Sequence, residues 1–186
     1  MTLVETEAIR TQRLALLPLR VEHAEEMAVV LSDPRLYTFT GGAPPTVEDL
    51  PVRYQRQIAG PPDKSASWHN WVIRPHEGDG LVGYVQATVA PSAYGLVGEI
   101  AWVVGTPWQG DGYATEAARG LVTWLISHDV PTVIAHINPG HAASAAVAAA
   151  AGLTPTARIQ EEEVRWRLHL RRRVELPDDR SERQLA

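Results

Sequence analysis

The chain has 186 residues, 45% of them hydrophobic, with no cysteine and a formal net charge of −5. That length and composition suit one globular domain with a sizeable core, and the missing cysteines exclude a disulfide framework, thiolate metal sites and a cysteine acyl-enzyme. The mildly acidic balance gives no electrostatic footprint for nucleic acid and suits a cationic acceptor better than a polyanion. The start, MTLVETEAIRTQ, lacks the basic region and apolar run of a signal peptide, and no segment reaches the length of a membrane span. The expected compartment is the cytoplasm.

Arg13 to Arg20 is an apolar run that reads as the first strand. Val21 to Ser32 follows as a helix, with Ala24, Met27, Ala28 and Leu31 on one face and Asp33-Pro34 ending it. Thr38 to Pro45 has the composition of a loop. Thr46 to Asp49 has capping-box spacing, but Pro51 disfavours a helical Leu50, so the second helix is expected to begin properly at Pro51 and run to about Ala59. Trp68 to Arg74, Leu81 to Ala90 and Val97 to Val104 read as three strands of a β-meander, joined by Gly78-Asp79-Gly80 and by Pro91 to Gly95.

Gly105, Thr106 and Pro107 stop the third of these strands, and Gln109 to Ala114 then spells Q-G-D-G-Y-A. Thr115 to His128 has helical spacing, with Ala118, Leu121, Val122, Leu125 and Ile126 on one face. A glycine-bearing loop that opens a helix presents backbone N–H groups at the positive end of the helix dipole, which suits a phosphate or pyrophosphate. A lone G-x-G in that place is more often only a turn. Thr132 to Ile137 is a short β-branched strand behind a helix, and the crossover makes it parallel to the strand before that helix. Ala142 to Ala151 is an alanine-rich helix with Gly152 as its expected C′ residue. Thr156 to Gln160 and Val164 to Leu170 read as a final hairpin, and the tail from Arg171 reads as a solvated terminus.

Q-x-x-G-x-A at Gln109 to Ala114, with Thr115-Glu116-Ala117 behind it and the strand led by Glu99 ahead, resembles the acetyl-CoA loop of the GNAT superfamily of N-acetyltransferases. The form G-D-G-Y-A-T-E-A is similar to the ribosomal-protein alanine N-acetyltransferase (RimJ/RimL-like) branch. The segments RTQRLALLPL, PGHAAS and AGL extend the resemblance over roughly Ile9 to Leu170. It implies an α/β (α+β) domain over residues 1–170 and a polar tail over 171–186. The implied GNAT fold is one mixed, mostly antiparallel sheet flanked by about four helices and splayed between its fourth and fifth strands. The implied activity is transfer of an acetyl group from acetyl-CoA directly to a primary amine, on a protein N-terminus or a small cationic molecule. The alternative is a GNAT-fold module that holds acyl-CoA without turnover.

By the same resemblance the pyrophosphate lies on the loop from Gln109 and Gly110 through Asp111, Gly112, Tyr113 and Ala114 to Thr115, and the pantetheine along Trp102, Val103 and Val104. Asp111 departs from the basic or neutral residue of many relatives. Glu99 is the base candidate; the other reading is a strand-edge carboxylate in water or paired with an arginine. Many relatives read N-x-x-S-x-x-x-Y through the helix after the splay, and the tyrosine is their thiol proton donor. The gapless match falls on His141, Ser144 and Ala148, so the tyrosine is absent. Ser144 is then the donor candidate, or only a first-turn cap. His141 beside the cofactor is the second donor candidate, or an exposed polar residue. His23, His69, His76, His128, His136 and His169 show no metal-ligand spacing and read as structural or exposed, so no metal is expected. Trp68, Trp71 and Tyr37 are candidates for lining an acceptor pocket. No nucleic-acid or membrane partner is expected, and an exposed final strand is able to pair two copies.

Overall fold

The computed structural model describes residues 5–170. They build one eight-stranded sheet with four α-helices. In chain order the elements are β1 (Ile9–Arg10), β2 (Leu14–Pro18), α1 (Ala24–Val30), α2 (Asp49–Ala59), β3 (Ser67–Pro75), β4 (Gly83–Ser92), β5 (Gly95–Val104), α3 (Tyr113–Ser127), β6 (Thr132–Ile137), α4 (Ala142–Ala150), β7 (Thr154–Gln160) and β8 (Glu163–His169). The spatial order is β1-β2-β3-β4-β5-β6-β8-β7, and every neighbouring pair is antiparallel except β5 and β6. This is the expected mixed sheet with one strand more. β1 pairs Ile9 with Leu16 and Arg10 with Ala15, and two residues are too few to show an alternating pattern in the sequence.

The parallel pair is short. Val97, Gly98 and Glu99 lie opposite Thr132, Val133 and Ile134, and the pairing stops there. β5 runs on to Val104 beside β4, and β6 runs on to Ile137 beside β8. The sheet therefore opens between the carboxyl halves of β5 and β6, now the fifth and sixth strands. α3 is the crossover that a parallel connection requires.

Alternation along the strands separates two faces. One carries Trp71, Val85, Ile100, Val133 and Ala135, buried with Leu121 of α3 and Ala148 of α4 in the larger core. On the other, Val72, Tyr84 and Val103 pack with Met27 of α1 and with Leu50 and Tyr54 of α2. Each fully buried Leu contributes about 1.5–3 kcal/mol. Farther along this second face Thr88, Glu99, Ala101, His136, Arg165 and Arg167 are half-buried or exposed.

Local chemistry explains where the elements end. The first helix is shorter than its apolar stripe suggests: Val21–His23 forms one 3-10 turn before α1. α2 starts at Asp49, not at Pro51. Thr46 Oγ1 accepts the Asp49 N–H at 3.0 Å, and Pro51 falls in the first turn, where its missing N–H costs nothing. α4 ends in a Schellman motif: Gly152 has φ +90°, its N–H donates to the Ala149 carbonyl, and Leu153 N–H donates to that of Ala148. β7 begins at Thr154 and tolerates Pro155 because it is the edge strand. Residues 1–4 and the polar tail from Arg171 lie outside the described residues. Among the described residues no helix is long and apolar enough to cross a membrane.

Candidate active site

The carboxyl ends of β5 and β6 part, and the segments that follow each strand there carry most of the site candidates. This is where ligands bind in open α/β sheets, outside the carboxyl ends of parallel strands. After β5, Thr106–Trp108 makes one 3-10 turn. Gln109 then turns back, and its side-chain amide donates to the Val104 carbonyl at 2.9 Å. That bond commits the first residue of the Q-x-x-G-x-A string to holding the loop against β5. Gly110 and Gly112 have φ of +90° and +80°, a region open to glycine at little cost.

Gly112 is the left-handed N-cap of α3, which begins at Tyr113, two residues before the sequence expectation. The first intrahelical bond runs from Glu116 N–H to the Gly112 carbonyl at 3.0 Å. The N–H groups of Tyr113, Ala114 and Thr115 therefore have no intrahelical acceptor, and among the described residues no side chain caps them. They are donors for an anion at the helix N-terminus. Asp111 is exposed in the middle of the loop.

Arg13, distant in sequence, fixes this loop. Its Nη1 donates to the Asp111 carbonyl at 3.0 Å, and its guanidinium lies 5.1 Å from the centre of the Tyr113 ring. Nε of Arg13 donates to Glu116 Oε2 at 2.7 Å. The other Glu116 oxygen accepts from Arg13 N–H and from Thr11 Oγ1, both at 2.6 Å. Burial alone raises the Glu116 pKa, but the bonds from Thr11 and Arg13 outweigh it and hold the carboxyl below its ordinary value.

On the open face of the sheet Glu99 reaches His136 of β6. His136 Nδ1 lies 3.0 Å from Glu99 Oε1. An ionised carboxylate only accepts, so Nδ1 carries the proton. The His136 side chain is 12% exposed and that of Glu99 52%. His136 Nε2 is buried and has no hydrogen-bond partner among the described residues. His136 thus partners Glu99, a contact that neither the base reading of Glu99 nor the strand-edge reading named.

After β6, His141 is the N-cap residue of α4, with no side-chain cap bond. Its ring stacks on Phe39, centroids 4.4 Å apart and 14° from parallel. Burial pushes its pKa down. Ser144 is half-buried in the first turn and does not cap the helix. Ala148, where the family pattern has its tyrosine, is fully buried.

The chain matches the family model of the acetyltransferase (GNAT) domain over residues 13–154. It belongs to the GNAT acetyltransferase family. It matches no curated protein. Among solved structures it is similar to the acetyltransferase from Agrobacterium tumefaciens str. C58, with 25% identity, TM-score 0.69, and coverage of 91% of this chain and 98% of that one. RimL, a ribosomal L7/L12 alpha-N-protein acetyltransferase solved with coenzyme A, shares the fold at 16% identity and TM-score 0.73, covering 88% and 98%. The microcin C7 self-immunity acetyltransferase MccE, solved with acetyl-CoA and AMP, shares it at 16% identity and TM-score 0.69, covering 86% and 93%.

In this GNAT chain the three aromatic pocket candidates separate. Trp71 is fully buried on the α3 face, edge-on to Trp124, and its Nε1 donates to the Glu7 carbonyl at 2.7 Å. Its side chain lies on the face opposite Glu99, while the residue also borders a cavity with Leu50, Tyr54, Asn70 and Tyr84. Tyr37 donates its hydroxyl to the Leu31 carbonyl at 3.0 Å. Trp68 stays on the Glu99 face, since Trp68 pairs with Thr88 and Thr88 with Glu99. Arg13, Glu116, His136 and Phe39 are the site residues that sequence reasoning missed. Glu116 and Arg13 lay inside segments of the resemblance, T-E-A and RTQRLALLPL, but the contacts of all four are with partners distant in sequence.

Proposed function

We propose that this GNAT chain uses acetyl-CoA to acetylate a primary amine directly, in the manner of the RimJ/RimL-like branch. The observation that carries the reading is the opening of β5 from β6 just beyond Glu99, beside the uncapped N-terminus of α3. The free side of residues 102–104 has no strand partner there, so it can take the donor's pantetheine arm as an added strand, and one of its N–H groups can polarise the thioester carbonyl. The amides of Tyr113 to Thr115 and the glycine loop then hold the pyrophosphate.

A primary amine is protonated at neutral pH and must lose that proton before it attacks. Glu99 takes it, held by His136 through Oε1 so that Oε2 faces the amine. When the carbon–sulfur bond breaks, the thiolate needs a proton. Ser144 is the donor we assign. The lowered pKa of His141 leaves less imidazolium at neutral pH to give one up.

An amine-library screen that follows CoA release tests the proposal. Turnover of at least one amine, with one acetyl-CoA bound per chain, is the expected result. Tight CoA binding with no turnover of any amine favours the second reading, a module that holds acyl-CoA, to which the alanine at position 148 lends support.

A further inference from the structure

Arg165 lies directly across the β6–β8 pair from His136, so the two share the open face of the sheet. Arg167 follows two residues on along β8, on the same face. The β7–β8 ladder is irregular between Pro155 and Ile159, so Arg158 has no ladder partner there, but its charge acts on Arg165. A row therefore runs across three strands, Glu99, His136 and Arg165, with Arg158 of β7 near its end.

Three arginines side by side repel one another unless carboxylates answer them. Among the described residues none of the three forms an ion pair. Glu163 stands on the same face of β8, two residues before Arg165, yet makes no ion pair with it, and Glu99 is engaged by His136. Nε of Arg165 is buried with no hydrogen-bond partner among the described residues. Burial and then the charges of Arg158 and Arg167 push the Arg165 pKa down. The buried Nε carries an unmet desolvation cost until an anion meets it. A guanidinium offers a planar fork of donors that matches a carboxylate or phosphate.

We infer that Arg165, flanked by Arg158 and Arg167, is an anion subsite beside Glu99, and that the acceptor is an amine bearing a carboxylate or phosphate within a few bonds of its nitrogen. This rests on the acetyl-transfer reading above for the position of the amine. It departs from the cationic acceptor that the overall charge of −5 suggests, because the local field of this face is positive.

The test uses three matched pairs titrated calorimetrically into the CoA-loaded protein and assayed with acetyl-CoA: alanine and alaninamide, phosphoethanolamine and ethanolamine, and the tetrapeptide amides Ala-Asp-Ala-Ala and Ala-Asn-Ala-Ala. In at least one pair the anionic member is expected to bind about tenfold tighter or more, the size of one charge-assisted contact. The pair that shows the preference identifies the anion. Arg165→Gln should bring that ratio close to one, and Arg165→Lys should keep part of it. Ratios near one in all three pairs, or a ratio that Arg165→Gln leaves intact, overturns the subsite while turnover of any amine upholds acetyl transfer. An anion preference in binding that vanishes in Arg165→Gln, with no CoA released from any pair, upholds the subsite and overturns the transfer reading instead.

Discussion

His136 Nδ1 and Glu99 Oε1 are 3.0 Å apart, and the contact joins the last paired residue of β5 to a residue of β6 two positions beyond its last paired residue, Ile134. It ties the two sides of the opening together at the point where the proposed chemistry takes place. If Glu99 is the base, Glu99→Gln lowers turnover by roughly 100-fold or more, the scale of a positioned acid–base group. The loss shrinks as pH rises, because the amine then deprotonates unaided. His136→Ala gives a smaller loss, in kcat more than in KM, since it frees the Glu99 rotamer without removing the carboxylate. A pH–rate profile left unaltered by Glu99→Gln would reduce Glu99 to a strand carboxylate.

Gly112 carries the loop turn. Its φ of +80° strains any other residue, and a Cβ there would lie 3.4 Å from Arg13 Nη2. Gly112→Glu adds charge at the helix N-terminus as well, so acetyl-CoA binding measured by calorimetry should be lost. Arg13→Ala releases the Asp111 carbonyl and should weaken binding without abolishing it. Unchanged affinity in Gly112→Glu removes the loop from the cofactor site.

Ser144 and His141 separate by the leaving group. Ser144→Ala should slow transfer from acetyl-CoA and slow it less from acyl donors whose thiol is more acidic, because their thiolates depart without help. His141→Ala should cost less than Ser144→Ala once cofactor affinity is matched. The reverse order assigns the proton to His141.

Ala148 occupies the place of the family's tyrosine with no exposed surface. Restoring the tyrosine should therefore not restore a donor. Ala148→Tyr forces a phenol into a filled core and should destabilise by roughly 1–3 kcal/mol, read in chemical denaturation. A stable variant with faster turnover would show that the position opens onto the thiolate.

His69 sets an acid limit. It is buried beside Trp71 and Trp124, with Thr6 Oγ1 at 2.8 Å and Ser67 Oγ at 2.9 Å. Burial first, then the charge of His128, lowers its pKa to about 4. Between about pH 6.5 and 4 the unfolded chain takes up a proton here that the folded chain refuses. The stability this group contributes is complete above about 6.5 and is lost as pH falls to about 4, on the order of 3 kcal/mol in all. Denaturation midpoints for wild type and His69→Asn should converge as pH drops through that window. His23 and His141 shift in the same direction, so a slope remains in the variant. Parallel curves in the two proteins would remove His69 from the account.

Periodicity, caps and glycine turns are local, and they were legible. The stripe of α1, the meander of β3 to β5, the Q-G-D-G-Y-A loop before α3 and the Gly152 stop of α4 each depend on residues a few positions apart. The Q-G-D-G-Y-A string, with T-E-A behind it, carried the GNAT resemblance, and the resemblance implied the fold. Pro51 misled because α2 begins at Asp49, whose N–H Thr46 accepts, so the proline falls in the first turn, where the rule against a helical residue before proline yields to tertiary packing of Leu50. Contacts between distant segments were beyond reach. Arg13 meets Glu116 across 103 positions, and His136 meets Glu99 across 37. Whether His136 faces Glu99 or the core turns on the register of the β5–β6 pair, and a slip of one residue would reverse it. The chain alone names a histidine on a strand. The crossover through α3 sets that register, and so decides that this histidine stands between Glu99 and Arg165.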